Sequence, residues 1–196
     1  MNWKWNRFLI GICVVSVAVN AYIIWRSKTL GHALEIVGVG LGLEARGNVD
    51  AALEKYREAV KVSPRFPYGL ALLGNAYHRL GKDAEALEQY EKALKISPRH
   101  FWVHYLLGRM LEEQGHYQEA IQKFTELIHM QDNPYHSNKI FGYTQYQGMC
   151  YADLGYCYAK IGDKRKALES YERYLSLNPS AQDRQQIEQY LRQLKD

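Results

Sequence analysis

The chain has 196 residues, 47% of them hydrophobic and 13% aromatic, which is enough for a domain with its own core and excludes a disordered polypeptide. Its formal charge of +4 comes from the first 28 residues: Lys4, Arg7, Arg26 and Lys28 precede the first carboxylate, Glu35, leaving 21 basic and 21 acidic side chains beyond them. A neutral body lacks the broad basic footprint of a nucleic-acid binder.

The first predicted element runs from Phe8 to Trp25, 18 residues without an ionisable side chain. As a helix it extends about 27 Å, close to the hydrocarbon thickness of a bilayer. Trp3, Trp5 and Trp25 stand at its ends, where amphipathic rings favour the headgroup region. Residues 1–28 are therefore expected to form a membrane anchor with one transmembrane helix over about 8–25. A secretory leader cut near Val19-Asn20-Ala21 is the alternative, and it would release a soluble periplasmic or secreted adaptor. The anchor is preferred because the apolar run outlasts an ordinary leader core of about 7–15 residues and ends in Arg26 and Lys28. Flanking cations favour a cytoplasmic N-terminus by a small margin. Cys150 and Cys157, seven apart on one predicted helix and too far apart to bridge, favour a reducing compartment. The side occupied by the body stays open.

Past residue 29 a 34-residue period governs the chain. Val39-Gly40-x-x-Leu43, Gly47, Ala52, Tyr56, Ala59 and Pro64 return as Leu73-Gly74-x-x-Tyr77, Gly81, Ala86, Tyr90, Ala93 and Pro98. Such a period denotes stacked helical hairpins. Gly40, Gly74, Gly108 and Gly155 fall mid-helix, where glycine costs about 1 kcal/mol relative to alanine, so each predicts a close crossing. Ala52, Ala86, Ala120 and Ala167 are the expected facing residues. Gly47, Gly81, Gly115 and Gly162 are expected to end the first helix of each hairpin in a left-handed conformation.

These residues resemble the tetratricopeptide repeat (TPR). The resemblance divides residues 29–179 into units 33–66, 67–100, 101–134 and 148–179, with an insertion over 135–147 and a capping helix over 180–196. The fold class it implies is all-α: an α-solenoid of four TPR-like helical hairpins plus a C-terminal capping helix, preceded by the transmembrane helix. Unit one departs from the pattern, since Gly38, Gly40 and Gly42 dilute a first helix whose inward residues are aliphatic, and that helix is expected to pack against lipid or a membrane partner as well. The insertion carries Tyr135, Phe141, Tyr143 and Tyr146, which are costly to leave in water; partner contact and internal packing are equal alternatives for them.

Candidate chemistry is thin. Gly40-Leu-Gly42-Leu-Glu-Ala45 mimics a dinucleotide fingerprint, but the repeat register puts it in a helix. His100 and His104 lie four apart on one helix face without a third ligand, so a metal carrier or enzyme built on them and the cysteines is a remote alternative. No catalytic, cofactor-binding or metal residue is assigned. By resemblance, the first helix of each hairpin lines a concave groove, here through Tyr68, Asn75 and Arg79, then Trp102, Tyr105 and Arg109, then Tyr156. Aromatic and arginine side chains carry much interface energy. The carboxylate clamp of some family members is doubtful, because Val37 and Leu41 stand where Lys and Asn are expected. The resulting expectation is a membrane-tethered scaffold, assembly factor or accessory subunit of a membrane protein complex, with protein partners, membrane contact through residues 8–25, and neither nucleic acid nor a cofactor.

Overall fold

The computed structural model describes residues 3–129, 143–177 and 184–195; within its helices the side chains of 3–18, 22, 143–146, 186, 190 and 193–195 lie outside the description. Among the described residues there are nine helices and no strand: α1 (Trp3–Ala45), α2 (Val49–Val62), α3 (Pro67–Arg79), α4 (Asp83–Ile96), α5 (Phe101–Glu113), α6 (Tyr117–Ile128), α7 (Tyr143–Lys160), α8 (Lys164–Leu177) and α9 (Arg184–Lys195). They form two compact units, Met1–Gln89 and Tyr90–Asp196, with the boundary inside α4.

Local chemistry explains the helix ends. All four expected cap glycines have positive φ, +80° at Gly47, +72° at Gly81, +80° at Gly115 and +82° at Gly162. At each, the glycine N–H donates to the carbonyl three residues back and the next N–H to the carbonyl five back, as in Gly47 to Glu44 (2.9 Å) and Asn48 to Leu43 (3.0 Å). This satisfies the last carbonyls of the first helix and reverses the chain within three residues. The second helices start at once: the Asn48 side chain accepts from the Ala51 N–H at 3.1 Å, and Asp163 does the same for Lys166 at 3.1 Å. Pro67 opens α3, where its missing N–H costs nothing.

In the first unit, Ala33, Ile36 and Val37 of α1 pack with Ala52, Leu53, Tyr56 and Ala59 of α2 and with Leu72, Leu73 and Ala76 of α3. In the second, Phe101 and Tyr105 of α5, Ala120, Phe124 and Leu127 of α6, and Cys150, Leu154 and Cys157 of α7 make one cluster. Ile187 and Leu191 of α9 close over Tyr171 of α8, so α9 covers the last hairpin. The crossings differ from expectation in one respect. A Cβ placed on Gly40 would lie 2.5 Å from the Tyr56 ring, on Gly108 2.7 Å from Phe124, and on Gly155 2.8 Å from Tyr171. The second-helix aromatic covers the glycine; Ala52, Ala120 and Ala167, though fully buried, are not the atoms that demand it.

The anchor and the first repeat helix, expected as separate elements, are one helix of 43 residues, about 64 Å long. Nothing between them breaks it, because no proline intervenes and the Ser27 and Thr29 hydroxyls donate back to the Ile24 and Arg26 carbonyls, both at 2.9 Å, within the helix. Among the described residues no helix is long and apolar enough to cross a membrane. Most of the span expected at 8–25, residues 8–18 and Tyr22, lies outside the described side chains.

Candidate protein-binding surface

Within the first unit, α1 and α3 are joined by a carboxylate the sequence reading did not single out. Glu44, at the end of α1, accepts from the Tyr56 hydroxyl at 2.6 Å, from Arg79 Nη1 at 2.5 Å and from Asn75 Nδ2 at 3.4 Å. Burial and the Glu44 carboxylate together push the Tyr56 phenol well above its ordinary range, so it remains a donor. Asn75 and Arg79 are thus brought together, each already engaged. Tyr68 is half-buried, edge-on to Phe66 with ring centroids at 6.0 Å, and close enough to Tyr56 to add to its upward shift.

In the second unit, α5 and α7 meet face to face. Trp102 and Tyr105 stack at 5.3 Å with planes 22° apart, and Tyr105 leans on Phe124 at 5.9 Å. Tyr105 is buried and belongs to the core cluster, while Trp102 is half-buried beside it. One helical turn on, Arg109 reaches Glu113 Oε1 at 3.1 Å and Asp153 Oδ1 of α7 at 3.7 Å, and the Cys157 thiol lies 3.9 Å from Glu112 Oε2. Tyr156 is 40% exposed and lies elsewhere, its ring edge-on to Tyr117 and beneath Lys160 Nζ at 5.1 Å. Tyr135 and Phe141 of the insertion fall outside the described residues, as do the side chains of Tyr143 and Tyr146.

The electrostatics of this cluster are unusual for a helix surface. Burial pushes the Asp153 carboxyl up to about 6 against the pull of Arg109, and burial with the neighbouring Asp153 charge pushes Glu112 up to about 7. Burial works against the Arg109 charge, but Asp153, Glu113 and Glu112 outweigh it and hold the guanidinium protonated. The Tyr105 phenol and the Cys150 thiol are driven up chiefly by burial, and Cys157 rises to about 12 for the same reason with Glu112 adding to it. Neither cysteine is bridged and both are inert hydrophobes. Among the described residues two buried polar atoms here, Trp102 Nε1 and Arg109 Nε, have no hydrogen-bond partner, while the Tyr105 hydroxyl interacts with the Asp153 carboxylate. Each such group is costly, at about 1–3 kcal/mol.

Because both acids bind protons more tightly in the folded state, the native chain holds more protons than the unfolded one between about pH 4 and 7. Their contribution to stability therefore falls as pH rises through that window. Glu112→Gln is expected to flatten the fall and to gain about 1 kcal/mol at pH 7.5, discounted for the solvent that screens this half-exposed side chain. Unfolding midpoints of the full chain at pH 5 and pH 7.5 check this; an unchanged difference between the two would contradict it.

Other candidate chemistry has structural partners. His104 Nε2 sits 2.8 Å from the Pro98 carbonyl oxygen, and burial lowers the His100 pKa, with His104 adding to the effect. Among the described residues no group of three or more His, Cys, Asp or Glu could hold a metal. The Gly40–Ala45 stretch is helical, without the strand and turn that a dinucleotide site needs.

Sequence profiles of the TPR repeat match residues 43–81 and 74–115, and those of the tetratricopeptide repeat match 103–134 and 148–181, together well over half the chain. The chain belongs to the tetratricopeptide-repeat family. Among solved structures it is similar to pilF of Pseudomonas aeruginosa, at 26% identity and TM-score 0.64, over 80% of this chain and 64% of that one. It is also similar to MamA from Desulfovibrio magneticus RS-1, at 21% identity and TM-score 0.59, over 83% and 82% of the two chains. PilW, a widely conserved type IV pilus biogenesis factor, matches at 18% identity and TM-score 0.62, over 75% and 62%. The last two likenesses show the fold alone, and the chain spans less than two thirds of the pilF and PilW chains. Among curated proteins no sequence matches significantly. Within the tetratricopeptide frame, Asp153 lies outside the positions that the family's groove pattern supplies, whereas Glu44 occupies one of them in the first unit. Asp153 did leave a signal, as the one charged residue in α7 before Lys160.

Proposed function

We propose that this tetratricopeptide-repeat chain is a membrane-tethered protein-binding scaffold, acting as an assembly factor or accessory subunit of a membrane protein complex. The observation that carries the binding half is the exposed side of α5 and its contact with α7, where Trp102 and Arg109 hold buried polar atoms without a hydrogen-bond partner among the described residues. The tether rests on the sequence: the uncharged run 8–25, its flanking cations and its terminal tryptophans. On this reading the anchor raises the effective concentration near membrane partners and the first-helix face selects among them. No covalent step is assigned to any residue. The assembly-factor reading accords with the use of the same fold in a type IV pilus biogenesis factor, a likeness of fold alone.

The test is capture from detergent extracts with the full chain, comparing the native sequence with Trp102→Ala and Arg109→Ala. Both variants should keep their helical spectrum while affinity for the bound partner falls at least tenfold, as loss of one interface anchor of about 1.4 kcal/mol or more implies. Undiminished recovery in both would remove the α5–α7 face from the account.

A further inference from the structure

A cavity of about 580 Å³ opens in the first unit between α1 and the link from α2 to α3. It is lined by Trp25, Arg26, Thr29 and Leu30 on one side and by Val62, Ser63, Pro64 and Arg65 on the other. Two arginines thus converge on one hollow from separate elements, and among the described residues neither has an ion-pair partner. The Thr29 hydroxyl is spent on the Arg26 carbonyl, leaving the Ser63 hydroxyl as a further donor. The carbonyl end of α2 opposes an anion here, but the Ser63 N–H already caps the Ala59 carbonyl, and two full positive charges exceed the half charge of a helix terminus.

Its place on α1 narrows the ligand. Directly before the cavity the helix leaves Val19, Ile23, Ile24 and Trp25 largely exposed among the described residues, at 50%, 55%, 56% and 61%. A soluble anion needs only the arginines. A phospholipid needs both features, an apolar surface for its chains and cations for its phosphate one or two helical turns further along. We infer that this cavity binds the phosphate of an anionic phospholipid headgroup, gripped between Arg26 and Arg65. The inference rests on the membrane reading above and extends it. The lipid would fix the height and rotation of α1 at the bilayer surface, and because α1 runs unbroken into the first repeat, the first unit would be oriented by the same contact.

Detergent-solubilised full chain is titrated with phosphatidylglycerol or phosphatidylcholine, and retained lipid is read by native mass spectrometry. One phosphatidylglycerol should be retained in preference to phosphatidylcholine. Arg65→Ala, an exposed substitution in the α2–α3 link, should weaken retention about fivefold, and Arg26→Ala with Arg65→Ala about 25-fold, at the strength usual for basic residues at an anionic surface. Equal retention of both lipids, or retention unaffected by Arg65→Ala, would overturn the inference. Displacement of the lipid by millimolar inorganic phosphate would also overturn it, by making the cavity a free-phosphate site. Flotation of the full chain with purely neutral vesicles reads the tether separately: a chain that floats without preferring phosphatidylglycerol loses this inference alone, and one that stays in solution loses the membrane reading as well.

Discussion

Phe124→Ala is expected to lower the unfolding free energy by about 3–5 kcal/mol, the range for deleting a fully enclosed aromatic ring. The Phe124 side chain has no exposed surface, lies against Gly108 of the facing helix and supports Tyr105 at 5.9 Å. Removing the ring leaves a void bordered by two helices of one hairpin and strips the support from the Trp102–Tyr105 stack. Chemical unfolding of the full chain measures the loss. A cost below about 1 kcal/mol would mean that the hairpin is not organised around this ring.

The second large effect has opposite signs at two kinds of glycine. Gly108→Ala and Gly155→Ala introduce a methyl that would lie 2.7 and 2.8 Å from aromatic carbons of Phe124 and Tyr171, rings that are themselves buried and cannot swing clear. Overpacking of this kind costs about 1–3 kcal/mol, enough to overcome the roughly 1 kcal/mol that alanine gains over glycine in a helix. Gly38 and Gly42 lie in a helix too, but a methyl there meets nothing within 4 Å. Alanine at either should stabilise the chain by up to about 1 kcal/mol. Unfolding midpoints that move in the same direction for all four substitutions would contradict the account of why the mid-helix glycines are present.

These glycines also mark how far the sequence was legible. A left-handed cap can be filled cheaply only by glycine, so the hairpin turns at 47, 81, 115 and 162 announce themselves. A mid-helix glycine announces a crossing but not what crosses it, since alanines and aromatics recur with the same period; only coordinates separate Phe124 from Ala120 as the covering group. The unbroken α1 was hidden for a related reason. Continuity of a helix leaves no punctuation, and the change from an apolar run to a repeat pattern reads as a boundary although the backbone crosses it unaltered.

The contact between α5 and α7 was legible in part. Trp102 and Arg109 were named from their place in the repeat; Arg109 reaches Asp153 of α7, and Trp102 stacks on Tyr105 within α5. Tyr105 shares their helix but is committed to the core, a distinction of a few tens of degrees of rotation that a repeat pattern does not resolve. Glu44 and Asp153 were missed because each acts across a helix pair, and the pairing of a carboxylate with an arginine 35 or 44 positions away is not local information. Asn75 and Arg79 illustrate the converse: correctly placed together, they are already occupied by Glu44.

The claim on which the functional account turns is that first helices, rather than second helices, face the partner. Amide hydrogen exchange of the full chain, measured alone and with its captured partner, addresses it directly. The account predicts added protection over Phe101–Glu113 and over residues 147–160, with α6 and α8 unchanged. Protection confined to α6 and α8, with α5 and α7 exchanging as in the free chain, would contradict it.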